Sequence, residues 1–289
     1  DRVSRKAVKW AQKRQLPVLC SVHTRFETYL RYYNMSFMEP VLEAWIRRLY
    51  RKCDALVAPS ESFAQVLRQQ RMNYDIDIWS RGVDRDIFDP SQRDMSWRRG
   101  LGIADEIPVI GFLGRLVMEK GLDVFSDTID QLKRRKVPHQ VVVIGDGPAR
   151  PWFETRIPEA KFAGFHMGSD LGRAVASMDM FFNPSVTETF GNVTLESMAS
   201  GLPVVAAKAT GSQSLVEDKV SGRLITPGAI NQFADALQAY CVDEDLRMRH
   251  GAAGEQRSLD YSWDAINQTM ADTYLRLIRQ HAARAVASR

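Results

Sequence analysis

Short apolar runs alternate with stretches of helical periodicity along nearly the whole chain. The runs PVLCSVH (17–23), ALVAPS (55–60), IDIW (76–79), VIGFLG (109–114), VVVIGDG (141–147), KFAGF (161–165), MFFNPS (180–185), PVVAA (203–207) and GRLI (222–225) read as strands. Helices are predicted between them, for example over 121–136, 191–200 and 230–242. Strands alternating with helices in this way predict an α/β chain whose parallel sheets are covered by helices on both faces. No short repeat and no low-complexity tract interrupts the pattern.

The pattern breaks between 83 and 107, where RGVDRDIFDPSQRDMSWRRGLGIADEIP (81–108) is polar and turn-rich and reads as an interdomain connection. Residues 108–260 then form one complete α/β unit. Residues 1–82 supply about three strands, few for a domain of this class, and the chain opens with Asp1 rather than Met. The expectation is that 1–82 is the C-terminal part of an N-terminal domain whose first half is missing. Residues 261–289 are expected to form a last helix that crosses back to the N-terminal domain.

Composition is that of a globular protein, 45% hydrophobic and 26% charged over 289 residues. Cys20, Cys53 and Cys241 are widely spaced and in no metal-ligand pattern, which suits a reducing compartment and excludes a zinc finger or a disulfide framework. No apolar run approaches the roughly 20 residues of a membrane span, and no signal peptide is visible. Charge is uneven: residues 1–52 hold twelve Lys/Arg against four Asp/Glu, while the remainder holds 27 against 31. RKAVKWAQKR (5–14) and WIRRLYRK (45–52) interleave Trp10, Trp45 and Tyr50 with these cations. Such a surface suits the headgroups of an anionic membrane or nucleic acid. Two solvated helix faces would read the same way.

Candidate chemistry begins at Gly111-Phe112-Leu113-Gly114-Arg115, followed by Glu119-Lys120-Gly121. Glycines admit a ligand close to the backbone, and two cations near a helix start suit an anion. Arg115 offers a planar fork and Lys120 a point charge. A diphosphate clamp and a surface pair beside a tight turn are both compatible with this segment alone. GDGP (145–148) lacks the glycine spacing of a dinucleotide loop and the lysine of a P-loop, so a nucleotide contact and a plain strand-to-helix turn stay open. In Thr187–Glu196 a helix is predicted to start near Gly191, with the N–H groups of Phe190, Gly191 and Asn192 free to face an anion. Glu188 lies just before that helix and Glu196 within it. Two carboxylates flanking an anion hole suit a ligand with a polyol at each end; a helix-end acid and a solvated one are the plainer alternative. His23, at the end of an apolar run, is by itself more often structural than catalytic.

Taken in order, VHT (22–24), APS (58–60), FLGRLVMEKG (112–121), GDGP (145–148), ETFGNVTLE (188–196), MASGLPVVA (198–206) and SGRLITPG (221–228) closely resemble the family 4 retaining glycosyltransferases of GT-B fold. That resemblance implies two Rossmann-like domains facing across a cleft, the N-terminal one incomplete here because the family's early glycine loop has no counterpart. It implies a nucleoside-diphosphate sugar (GDP- or UDP-linked) as substrate, with no required cofactor. Glu188 would hold the hydroxyls of the donor hexose without acting as a nucleophile, and Glu196 would hold the ribose diol. Arg115 and Lys120, beside Gly114, would grip the diphosphate with the N–H groups of Phe190, Gly191 and Asn192. Gly164 and Phe165 would contact the base, and His23 would reach the donor sugar. The chain has no Asp-x-Asp of the kind other sugar transferases use to hold a divalent ion, so no metal is expected, the two cations taking its place. HTRFETYLRYYN (23–34) resembles bacterial lipid mannosyltransferases and sulfolipid synthases, which implies a lipid or glycan acceptor. It also implies a cytoplasmic place in peripheral contact with an anionic membrane, with no nucleic acid partner. A relative that binds sugar nucleotides without transferring them, epimerase-like or a sensor, carries the same motifs.

Overall fold

The computed structural model describes residues 2–30 and 35–287; residues 31–34, the end of the 23–34 segment, lie outside them. The chain divides into two compact units, one of residues 1–82 with 261–289 and one of residues 83–260. Among the described residues no helix is long and apolar enough to cross a membrane.

The first unit runs α1 (Arg2–Lys13), β1 (Leu19–Ser21), α2 (Phe26–Tyr29), α3 (Glu39–Tyr50), β2 (Ala55–Ala58), α4 (Glu61–Gln69) and β3 (Ile76–Ile78). Its three strands form a parallel sheet in the order β1-β2-β3, with Leu19 opposite Ala55 and Leu56 opposite Ile76. β2 is buried along its whole length, as a central parallel strand covered on both faces must be. Val8 of α1, Ile46 of α3, and Phe63 and Leu67 of α4 pack with Leu56, Ala58 and Ile76 in one core. Ser60 caps α4 by accepting a hydrogen bond from the Phe63 N–H.

The second unit continues with α5 (Met95–Gly100), β4 (Val109–Leu113), α6 (Leu122–Arg134), β5 (Gln140–Ile144), α7 (Arg150–Arg156), β6 (Lys161–Gly164) and α8 (Gly168–Ala176). It then runs β7 (Met180–Asn183), α9 (Asn192–Ala199), β8 (Val204–Ala207), α10 (Thr210–Leu215), β9 (Gly222–Ile225), α11 (Ile230–Val242) and α12 (Glu244–Ser258). Its six strands are all parallel, in the order β6-β5-β4-β7-β8-β9. Each of the nine apolar runs thus contains a strand, and the α/β class with parallel sheets is the observed one. Apolar residues at helical spacing on α6 (Leu122, Phe125, Ile129, Leu132) face the sheet. Phe125 stacks on Phe182 of β7 at 4.8 Å between ring centroids and meets Phe112 and Phe153 edge-on at 5.6 Å each.

Residues 83–107, read from their composition as a connection, belong to this second unit and are anchored to its sheet by charge. Arg98 of α5, 1% exposed, donates to Asp179 Oδ2 at 3.0 Å and to the Ile107 carbonyl at 2.7 Å. Asp179 also accepts from the Val109 N–H at 2.7 Å and from Arg93 at 2.6 Å, so its carboxylate ties α5 to the start of β4. The last helix, α13 (Trp263–Ala287), belongs to the first unit. There Arg276 makes paired hydrogen bonds to Asp75, 2.9 and 3.0 Å, and a third to Asp77 at 2.6 Å.

Removing one partner of a buried ion pair strands the other charge, at a cost of about 3–5 kcal/mol. Arg93 still faces Asp179 when Arg98 is lost. Arg98→Ala is therefore expected to lower the unfolding free energy by about 3 kcal/mol in a denaturant titration; a loss below about 1 kcal/mol, the worth of an exposed pair, would contradict the anchor.

Candidate functional site

In unit two the sheet reverses direction of growth between β4 and β7: β5 and β6 add to one side of β4, and β7, β8 and β9 to the other. Loops leaving the C-terminal ends of two such neighbours diverge to opposite faces and open a crevice, the place where open α/β sheets bind ligands. The loop after β4 carries Gly114, Arg115 and Lys120, and the loop after β7 carries Glu188 and Gly191. The two loops are tied together, because Thr187 Oγ1 donates to the Glu119 carbonyl at 3.1 Å.

Lys120 Nζ donates to Glu188 Oε1 at 2.9 Å, and the Glu188 side chain is only 9% exposed. The Glu188 backbone is fixed as well: its carbonyl accepts from Thr210 Oγ1 at 2.6 Å and from the Gly211 N–H at 2.9 Å, both at the start of α10. Neither residue stands out in the sequence; the signal that could have found them is the small-residue turn ATGS after the β8 run. Gly191 caps α9 with φ 99°, a conformation glycine adopts without strain. A Cβ at Gly191 would lie 3.1 Å from Glu188 Oε2, so the absent side chain also leaves room for that carboxylate. Helix α9 supplies no acceptor for the N–H groups of Asn192 and Val193 at its own start. Asn192 is exposed, whereas the Phe190 side chain is buried in the interior and only its backbone can serve a ligand.

Glu196 sits inside α9, largely buried, and its carboxyl has no hydrogen-bond or ion-pair partner among the described residues. Burial first, and the Glu188 charge second, push its pKa up to about 7. The two acids therefore feel one another, and Lys120 is bonded to Glu188.

Arg115 is exposed and its guanidinium has no partner among the described residues. The GDGP turn is pressed against its loop: Asp146 and Gly147 flank Leu116, whose N–H donates to the Asp146 carbonyl at 3.0 Å. At Gly145, φ 132°, a Cβ would stand 2.0 Å from the Gly114 carbonyl, so no other residue fits there without moving the loop. The Gly145 N–H donates to the Gly164 carbonyl at 2.8 Å, which links the end of β6 to the same rim. Phe165 follows on that rim, 72% exposed.

His23 belongs to unit one, beyond the end of β1. Arg81 Nη2 donates to its Nδ1 at 3.3 Å, and its ring meets Trp79 edge-on at 5.6 Å. The same Nη2 lies 3.5 Å from Nε2, which also hydrogen-bonds to Ser21 Oγ, and a ring nitrogen that accepts from Arg81 belongs to the neutral imidazole. Burial, and then the Arg81 charge, lower the His23 pKa, in accord with that neutral form. Composition alone did not single out Arg81 or Trp79.

The raised Glu196 pKa has a sign in stability. Between its ordinary 4.5 and about 7 the folded protein holds a proton that the unfolded chain gives up. Stability therefore falls as pH rises through that window and stays lowered above it. Glu196→Gln removes the penalty. The variant is expected to match the parent near pH 4.5 and to exceed it at pH 8 by up to about 3 kcal/mol. Parallel unfolding titrations at the two pH values check this, and a pH-independent difference would contradict it.

Residues 107–243 match the family described as glycosyl transferases group 1, and residues 3–87 match glycosyltransferase family 4. Over 268 residues the chain is 31% identical to a sulfoquinovosyl transferase of Arabidopsis thaliana, covering 90% of this chain and 52% of that protein. Over 270 residues it is 31% identical to a GDP-mannose-dependent alpha-mannosyltransferase of Mycolicibacterium smegmatis, covering 93% of this chain and 70% of the other. The chain thus spans about half the length of the plant relative. The solved structure of sucrose-phosphate synthase from Thermosynechococcus elongatus superposes with a TM-score of 0.79 at 21% identity, over 94% of this chain and 71% of that one. With its parallel-sheet units and this likeness the fold is GT-B. Matches that run from residue 3 to residue 243, and a relative aligned over 93% of the chain, leave one conclusion: the chain belongs to the group 1, family 4 glycosyltransferases.

Proposed function

We propose that the protein is a retaining glycosyltransferase that moves a hexose from a nucleoside-diphosphate sugar to a lipid or glycan acceptor at the face of an anionic membrane on the cytoplasmic side, with no required metal. GDP-mannose and a UDP-hexose are the donors in view, the first supported by the name of the mycolicibacterial relative. The observation that carries the reading is the Lys120–Glu188 ion pair with half-buried Glu196 nearby, at the open start of α9 and at the switch point of the sheet. Glu188 precedes that helix start and Glu196 follows it within α9, an order that suits a diphosphate between a hexose and a ribose.

In this reading Glu188 accepts hydrogen bonds from the hexose hydroxyls, and Glu196 holds the ribose diol. Lys120 has three N–H donors, enough to keep Glu188 in place and to hold a phosphate oxygen at once. Arg115, unpaired among the described residues, turns its fork to the diphosphate, and the base lies on the rim at Gly164 and Phe165. Breaking the anomeric C–O bond leaves negative charge on the diphosphate, which the two cations and the N–H groups at Gly191 and Asn192 stabilise as it grows. The acceptor oxygen bonds to the same face of the sugar, and its proton passes to the departing phosphate oxygen. Glu188 forms no covalent bond to the sugar. His23 carries the part of the reading that belongs to unit one: a neutral imidazole able to exchange hydrogen bonds with a sugar hydroxyl.

Turnover by the full-length protein against a panel of nucleotide sugars, with chelator and with magnesium, tests the proposal. Transfer is expected to survive the chelator, and Arg115→Ala to lower the rate about 10²–10³-fold, the scale for one donor at a developing anion. Activity lost in chelator and restored by magnesium would overturn metal independence, a loss under tenfold would remove the clamp, and donor binding without transfer or hydrolysis would leave only the binding half.

A further inference from the structure

Unit one carries a face whose residues the donor chemistry does not use. Along the 3-10 turn Ser36–Met38 and α3, the residues Phe37, Val41, Trp45 and Arg48 recur at steps of three or four and so lie along one stripe, which Lys52 continues in the turn just after the helix. Phe37 and Val41 are 76% and 65% exposed. The stripe is apolar at one end and cationic at the other. Helix α1 lies alongside its cationic end, where Gln12 Nε2 donates to the Lys52 carbonyl at 3.1 Å. Arg5 and Lys9, one turn apart on α1, face Trp45, Arg48 and Lys52 across a cleft of about 100 Å³. That is the space of roughly three waters, and of a single phosphate group.

The charges of this cleft are uncompensated. Among the described residues Arg5, Lys9, Arg48 and Lys52 have no carboxylate partner, whereas Arg47 on the same helix is paired with Glu43. Arg5 instead lies over the Trp45 ring, 5.4 Å from its centroid. Four cations around one indole repel one another until an anion joins them. Next to them the exposed Phe37 and Val41 have no use in water. A phosphate layer lying directly over hydrocarbon satisfies both halves of the stripe, and neither a soluble anion nor a polynucleotide backbone offers the apolar half.

We propose that the cleft between α1 and α3 seats the phosphate of an anionic phospholipid, with Trp45, Val41 and Phe37 entering the membrane interface beside it. This rests on the reading that the protein works at a membrane face, and it names the surface and the lipid chemistry. It orients unit one on the bilayer by two helices that make no covalent contribution to the reaction.

The test uses the full-length protein and vesicles of phosphatidylcholine with and without phosphatidylglycerol. Binding is expected only with the anionic lipid. Arg48→Ala with Lys52→Ala should weaken it about fivefold per cation, so roughly 25-fold for the pair. Arg134→Ala with Arg249→Ala, exposed cations of the other unit, should leave it unchanged. Vesicles with brominated acyl chains should quench part of the tryptophan fluorescence, and Trp45→Phe should remove most of that quenching. Undiminished binding by the first pair, an equal loss in the control pair, or quenching unaltered by Trp45→Phe would each overturn the proposal. So would tighter binding to duplex DNA than to anionic vesicles through the same cations. Nucleotide-sugar binding, measured on the same samples, should be untouched by Arg48→Ala with Lys52→Ala. A parent that binds anionic vesicles through this cleft yet binds no donor supports the membrane face while removing the transferase reading.

Discussion

Lys120 and Glu188 meet at 2.9 Å where the loops after β4 and β7 face each other, and the organisation of unit two turns on that contact. A carboxylate 9% exposed is unfavourable without a cation or several donors. Its cation comes from a loop 68 residues earlier, brought close only because β4 and β7 are neighbours in the sheet. The second acid has no such partner among the described residues, and burial, then the charge of the first, push its pKa up to about 7. The result is a pair of acids at one helix start, one ion-paired and one without a partner among the described residues, with exposed Arg115 on the loop that carries Lys120. A ligand that brings two negative charges and two sets of hydroxyls would resolve the imbalance on both sides.

Much of the scaffold was legible in the chain. Strands of a parallel sheet are covered on both faces, so they appear as short continuous apolar runs, and all nine were visible as such. Lys120, Glu188, Gly191 and Glu196 were each visible as candidate chemistry, but their relations were not. Nothing local indicates that Lys120 reaches Glu188, or that Thr210 and Gly211 hold the Glu188 carbonyl from 22 and 23 residues away. Nor does helical spacing show that Glu196 is half-buried, because polar residues at that spacing commonly face water. The same holds for Arg98, which sits in a polar stretch and becomes the anchor of α5 only through Asp179, 81 residues later. In each case the missing information is a long-range pairing, which sheet order supplies and local pattern does not.

The two units divide the physical labour differently. Unit two concentrates fixed backbone, glycine turns and buried charge at the C-terminal ends of its two central strands, the features of a pre-organised polar site. Unit one holds His23 between Arg81 and Ser21, and among the described residues leaves Arg5, Lys9, Arg48 and Lys52 without a carboxylate beside exposed aromatic and aliphatic side chains. Buried and compensated charge suits recognition of one small molecule. Exposed and uncompensated charge suits a surface.

In the proposed reading Glu188 and Glu196 grip opposite ends of one ligand. Calorimetric titration of the full-length protein with a nucleoside diphosphate and with the corresponding nucleotide sugar separates the two. Glu196→Gln is expected to weaken both ligands alike, while Glu188→Gln weakens the nucleotide sugar and leaves the nucleoside diphosphate nearly unchanged. Equal weakening of both ligands by Glu188→Gln, or no effect of Glu196→Gln on either, would contradict it.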